Sequence, residues 1–296
     1  MQPILSIQNV SKSYGAIQAL KGVSFEVPEG SVFGVLGPNG SGKTTLLAIL
    51  LDVLLADAGS YSWFGGMQQE AARKQMGALL ETPNFYHYLS AFDNLEITAA
   101  IKDRGKDDRL RVLKQVGLLE RKDSKFQSFS LGMKQRLAIG AALLGNPKVL
   151  VLDEPTNGLD PAGIAEIREL IRKMSKEGIT IIIASHLLDE IEKVCTHVAI
   201  LKKGTLLLHG TVAEALRSED QVEVRADDMA RLQAALSNMP GITKAVLNDG
   251  TLQLACGPAI TPGMVNEYCI GQNIVLTHLV LRKKSLETKF MELTNN

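Results

Sequence analysis

The chain is poor in cysteine, with three in 296 residues, has a single tryptophan, and carries no excess of either charge, with 32 Lys and Arg against 32 Asp and Glu. Cys195, Cys256 and Cys269 are odd in number and lack Cys-x-x-Cys spacing, which excludes a disulfide framework and a cysteine zinc site and predicts a reducing compartment. Balanced charge removes the basic field that draws a protein to nucleic acid or anionic lipid, so no nucleic-acid partner is expected. No uninterrupted apolar run approaches the ~18 residues of a membrane span, and no basic, apolar, small-residue signal opens the chain. A cytoplasmic location follows as an expectation.

What is present is more specific. Val32 to Leu36 is a short apolar run, Gly37-Pro38-Asn39-Gly40-Ser41-Gly42-Lys43-Thr44 follows it, and an apolar-periodic stretch begins at once. That order reads as strand, phosphate loop and helix start. Gly37, Gly40 and Gly42 allow the tight turns that aim consecutive N–H groups at one anion, and the helix that follows adds its positive end. Lys43 brings a point charge to the outer phosphates of a nucleoside triphosphate, and the Thr44 hydroxyl suits Mg²⁺. The alternative is a Gly-rich turn with a chance Gly-Lys-Thr.

A carboxylate at the end of another buried strand should complete such a site. Val149-Leu150-Val151-Leu152 ends in Asp153 and Glu154. A continuous apolar run fits a parallel strand covered on both faces, whose C-terminal end opens on the ligand crevice. Asp153 would hold Mg²⁺ directly or through a water, and Glu154 would act as general base on the attacking water. A strand ending in solvated acids is the plain alternative.

Further along come Phe129-Ser130-Leu131-Gly132-Met133-Lys134-Gln135-Arg136, then Gly158-Leu159-Asp160-Pro161 after the acidic strand, and Ala184-Ser185-His186 at the end of the next apolar run. With the phosphate loop and the acidic strand, and Tyr14 upstream, the chain resembles the nucleotide-binding subunit of an ABC transporter over residues 4 to about 217. The resemblance implies a P-loop NTPase parallel-sheet core with an antiparallel β-subdomain and a helical signature subdomain. It implies ATP and Mg²⁺ as ligands, and it places Thr45 with the phosphate loop. Tyr14 would stack on adenine, Ser130 and Gly132 would meet a γ-phosphate, Asp160 would belong to the nucleotide site, and His186 would orient the catalytic water. Leu131 and Met133 depart from the family's Leu-Ser-Gly-Gly-Gln pattern. Glu81 stands where most of the family carries a metal-touching glutamine. That acid and the signature resemble the branch serving bacitracin resistance and lantibiotic self-immunity, the ABC-2-type exporters.

The resemblance further implies an ATP-hydrolysing motor that pairs head to tail with a second nucleotide-binding subunit, a homodimer being the simplest case. It would energise a separate membrane permease from the inner face of the cell membrane. A soluble ABC-type regulator without a membrane partner is the alternative. Translation-factor members carry two nucleotide domains, however, and chromosome-maintenance members carry long coiled coils, and this chain has neither feature.

Punctuation predicts domains at 1–217 and 218–296, with a helical subdomain at about 82–147. Alternation predicts half-exposed strands over 4–10 and 22–27, and apolar runs at 32, 76, 149, 180 and 197 predict the parallel core. Helical spacing covers Ala91 to Arg104, Asp107 to Val116 and Leu131 to Leu144. The loop Asn84 to Tyr88 is rich in aromatics and is a candidate landing point for the membrane partner. After Arg217 the order is βαββαβ, with a hairpin at Asn248-Asp249-Gly250, which predicts a small ferredoxin-like α+β domain. Ser285 to Thr294 resembles the closing helix of exporter ATPases, and a packing role for this domain is favoured over ligand sensing.

Overall fold

The computed structural model describes residues 3–80, 84–216, 221–248, 250–257, 260–282, 286 and 289–291. The chain divides into two compact units, Met1–Val212 and Ala213–Asn296. Glu81, Asp249 and most of Ser285 to Thr294 lie outside the described residues.

In the first unit the strands are β1 (Pro3–Tyr14), β2 (Ile17–Pro28), β3 (Val32–Leu36), β4 (Ala58–Trp63), β5 (Met76–Leu79), β6 (Val149–Asp153), β7 (Thr180–Ser185), β8 (His197–Lys202) and β9 (Thr205–Thr211). The helices are α1 (Lys43–Leu50), α2 (Gln69–Arg73), α3 (Ala91–Lys102), α4 (Arg109–Gln115), α5 (Leu131–Leu143), α6 (Pro161–Lys176) and α7 (Leu188–Glu192), with α8 (Val212–Leu216) at the unit boundary. The central sheet runs β5-β6-β7-β3-β8-β9. Its first five strands are parallel, because continuous apolar runs such as Val-Leu-Val-Leu can be buried on both faces. They are the five runs expected from the sequence.

Two strands of this unit were not anticipated. β9 pairs antiparallel with β8 through the turn at Lys203-Gly204, so the sheet is mixed at that edge. β4 joins β1 and β2 as the third strand of the antiparallel sheet, in the order β2-β1-β4. Its Ala-Gly-Ser-Tyr-Ser-Trp sequence has only Trp63 fully buried, too weak a period-2 signal to read. One apolar cluster, including Leu5, Val23, Phe33, Leu46, Leu47 and Val151, joins the two sheets through α1. The start expected at Asp107 is a single 3-10 turn, Lys106–Asp108, and the α-helix begins at Arg109.

The second unit contains β10 (Gln221–Ala226), α9 (Met229–Leu236), β11 (Ile242–Asn248), β12 (Thr251–Cys256), α10 (Pro262–Gly271) and β13 (Leu276–Arg282). The sheet order β11-β12-β10-β13, with every pair antiparallel, is the ferredoxin-like arrangement of a βαββαβ chain. Ile274 precedes the last strand, and its N–H closes the end of α10 on Cys269 O at 2.9 Å. Val222, Val224, Leu232, Leu252, Leu254 and Val265 form a separate core. The three cysteines are free and buried.

Candidate active site

The phosphate loop follows β3 and ends in α1. Gly42 caps that helix at φ 103°, and a Cβ there would lie 2.5 Å from Ala19 O. Gly37 is equally constrained: a Cβ would lie 2.2 Å from Leu201 O and 2.6 Å from Ser41 Oγ. The β8–β9 turn clamps the loop from outside, since Gly204 N–H donates to Ser41 O at 3.0 Å and Lys21 N–H to Gly204 O at 2.9 Å. This turn was missed in the sequence. Its signal was the Lys-Gly pair between two apolar runs.

Lys43 is buried beneath the loop. Its Nζ donates to Gly37 O at 2.9 Å and Pro38 O at 3.3 Å, and lies 3.4 Å from Glu154 Oε1. Thr44 Oγ1 donates to Asp153 Oδ2 at 2.8 Å, which joins the phosphate loop to the end of β6. Glu154 stands at φ 47° with its N–H bonded to Ala184 O, so the chain leaves the strand sharply and turns the carboxylate toward Lys43. Its other oxygen, Oε2, lies 2.8 Å from His186 Nδ1 at the end of β7. Lys43, Thr44, Asp153, Glu154 and His186, taken from two strand ends and one helix start, thus form one continuous polar cluster. The hydroxyl of Ser41 is buried and has no hydrogen-bond partner among the described residues.

Beside this cluster a cleft of about 620 Å³ is lined by Tyr14, Gln18, Ala19, Gly42, Thr45 and Lys203. Tyr14 is half exposed, with Lys12 Nζ 6.0 Å from its ring centre. The cleft connects a planar aromatic to the phosphate loop, with Gly40 also on its wall. Pro38, Asn39 and Gly40 are exposed on the loop's outer side.

Ser130 caps α5, accepting from Met133 N–H at 3.3 Å, and Asp160 caps α6, accepting from Gly163 N–H at 2.8 Å. Among the described residues no hydrogen bond or ion pair links Ser130, Gly132 or Asp160 to Lys43, Thr44 or Glu154. These parts of the expected site are not assembled with it within one chain. The loop Asn84 to Tyr88 is stitched to the approach to Ser130. Gln127 N–H donates to His87 O and Phe126 N–H to Leu89 O, while Phe126 packs on Phe85, His87 and Phe129.

A phosphate loop clamped beneath strand ends that carry Asp153, Glu154 and His186 defines a P-loop nucleoside triphosphatase. The sequence profile described as ABC transporter matches residues 20–157. The chain is 33% identical to the bacitracin transport ATP-binding protein BcrA of Enterococcus faecalis over 99% of its own length and 97% of that protein's. It is 40% identical to the lantibiotic transport ATP-binding protein SrtF of Streptococcus pyogenes over 69% of its length and 90% of that protein's. A dimeric ATP-binding cassette solved in a post-hydrolysis state with ADP and Pi superposes at a TM-score of 0.62 with 26% identity, covering 70% of this chain and 98% of that one. The chain belongs to the ABC transporter ATP-binding family. It is accordingly an ATP-binding, ATP-hydrolysing motor subunit of a transporter.

Proposed function

We propose that this chain drives export through a separate membrane permease, pairing head to tail with a second copy of itself on the inner face of the membrane. The observation that carries the reading is the Glu154 carboxylate held between Lys43 and His186 at the mouth of the phosphate loop. ATP would lie with its adenine against Tyr14 and its phosphates on the N–H groups of residues 37 to 45, where the buried Ser41 hydroxyl gains a partner. Lys43 would exchange Glu154 for the outer phosphates. Glu154 then takes a proton from water as its oxygen attacks the γ-phosphorus and the bond to the ADP oxygen breaks. His186 holds Glu154 and the γ-phosphate in register.

Thr44 and Asp153 place two hard oxygens together, a donor set that fits Mg²⁺. Such an ion would neutralise charge on the phosphates. Glu81 is a third candidate ligand by its sequence position. Ser130, Gly132 and Asp160 would complete the site of the partner subunit, consistent with their separation from Lys43 within one chain and with the dimeric relative. No helix among the described residues is long and apolar enough to cross a membrane, which agrees with a separate permease. Full-length similarity to a bacitracin transport protein favours a peptide-antibiotic cargo and export.

The test is purification of the chain from its own membranes, followed by reconstitution with the co-purifying permease. ATP-dependent movement of bacitracin or a lantibiotic out of the nucleotide-facing compartment is expected. An ATPase that stays wholly outside the membrane fraction would refute the reading.

A further inference from the structure

The C-terminal end of α5 is held by a cation that α5 does not itself supply. A helix leaves its last carbonyls unbonded and carries partial negative charge there, and basic residues in its last turn commonly answer both. The last turn of α5 contains none. Lys102, the final residue of α3, reaches across instead and donates to Ala141 O at 2.7 Å and Ala142 O at 3.3 Å. No carboxylate pairs with Lys102 among the described residues, although its stem is partly buried in a groove of about 420 Å³ shared with Leu51, Met76 and Leu80. Two residues on, Arg104 Nη2 donates to Met76 O at 2.7 Å, the first residue of β5. Asp108 Oδ2 then accepts from Gly145 N–H at 3.0 Å, just beyond α5. One segment therefore grips both the central sheet and the tail of α5.

The opposite end of α5 is Ser130, about 20 Å away at 1.5 Å per residue. We propose that Lys102 is a positioning residue for ATP-driven pairing: its ammonium, seated on Ala141 O and Ala142 O, fixes α5 and thereby sets where Ser130 meets the partner subunit's nucleotide. This inference rests on the reading that Ser130 works across the pair.

Burial, and secondarily the like charge of Arg104, lower Lys102 to about 8. The other charged groups on the groove are Glu70, Arg73 and Lys74. Glu70 pairs with Lys74 and Arg73 with Asp52, and α5 has no charged residue from Ala138 to Leu143. Deprotonation leaves the amine a donor but removes the charge that answers the helix end. The folded-state value is below that of the unfolded chain, so this group opposes folding below about 8, and its penalty fades as pH rises toward the ordinary lysine value of 10.5. Alkaline pH should thus loosen pairing without this group costing stability, a divergence that a merely structural lysine would not produce.

Pairing is measured by sedimentation with ATP in the Glu154→Gln chain, which is expected to bind ATP without hydrolysing it. Lys102→Met is expected to weaken pairing roughly tenfold at neutral pH with ATP affinity of the single subunit unchanged. Lys102→Arg, charged throughout, should restore it. Between neutral pH and about pH 9.5, pairing of the Lys102 chain should fall relative to Lys102→Arg. Equal pH profiles for these two, or normal pairing in Lys102→Met while Ser130→Ala fails to pair, would overturn the positioning role. Normal pairing in Ser130→Ala would overturn the Ser130 reading and this one together.

Discussion

His186 Nδ1 lies 2.8 Å from Glu154 Oε2, while Glu154 Oε1 lies 3.4 Å from Lys43 Nζ. The carboxylate is therefore oriented by two neighbours before substrate arrives. Glu154→Gln keeps the shape and most of the hydrogen bonding but cannot take a proton. Phosphate release should fall by about 10²-fold or more while ATP binding survives. ATP should then trap a paired species. Undiminished turnover would show that another group is the base.

His186→Ala leaves Glu154 with Lys43 alone. The expected result is a fall in kcat with little change in ATP affinity, because the imidazole orients groups rather than cradling phosphate. Equal losses in both constants would instead assign His186 to ground-state binding.

Gly42→Ala tests the loop geometry. The new Cβ would meet Ala19 O at 2.5 Å, and the residue must hold φ 103°. Backbone has to shift, and α1 with it, so ATP binding should be lost even though no charge changes. Lys43→Ala should weaken binding for the complementary reason, loss of charge on an intact loop. Isothermal titration with ATP separates either outcome from normal affinity.

The second unit offers a pH test. The Arg282 guanidinium, 2.8 Å from Glu223 Oε1 and assisted by Gln253, holds the Glu223 carboxyl below its usual range. A carboxyl depressed by folding stabilises above its unfolded value, and that contribution is lost as pH falls through the folded one. Glu223→Gln should lower stability at neutral pH by about 1 kcal/mol, with the two unfolding curves converging in acid. A gap that persists in strong acid would mean packing, not charge, is responsible.

The local chemistry of this protein was legible because it depends on neighbours in sequence. Eight consecutive residues specify a loop whose N–H groups converge, and four apolar residues before Asp153 specify a buried strand ending at a crevice. The ferredoxin-like order of the second unit was readable from turns and alternation for the same reason. β4 was not, since Ala58–Trp63 becomes a strand only because β1 offers an edge to pair with. β9 likewise depends on β8, and its turn on the phosphate loop that it clamps.

By itself the sequence determined which chemistry the chain carries: a phosphate loop, two acids, a histidine and a signature serine, each next to the apolar run that forms its support. Only the tertiary structure decided which of them meet. Parallel strand order places the ends of β6 and β7 beside the phosphate loop after β3, so Asp153 reaches Thr44 and Glu154 lies between Lys43 and His186. Ser130 and Asp160 cap α5 and α6 instead and make no bond to Lys43, Thr44 or Glu154. The end of α5 is held by Lys102 for the same reason: long-range backbone groups, which have no sequence signal, supply its partners.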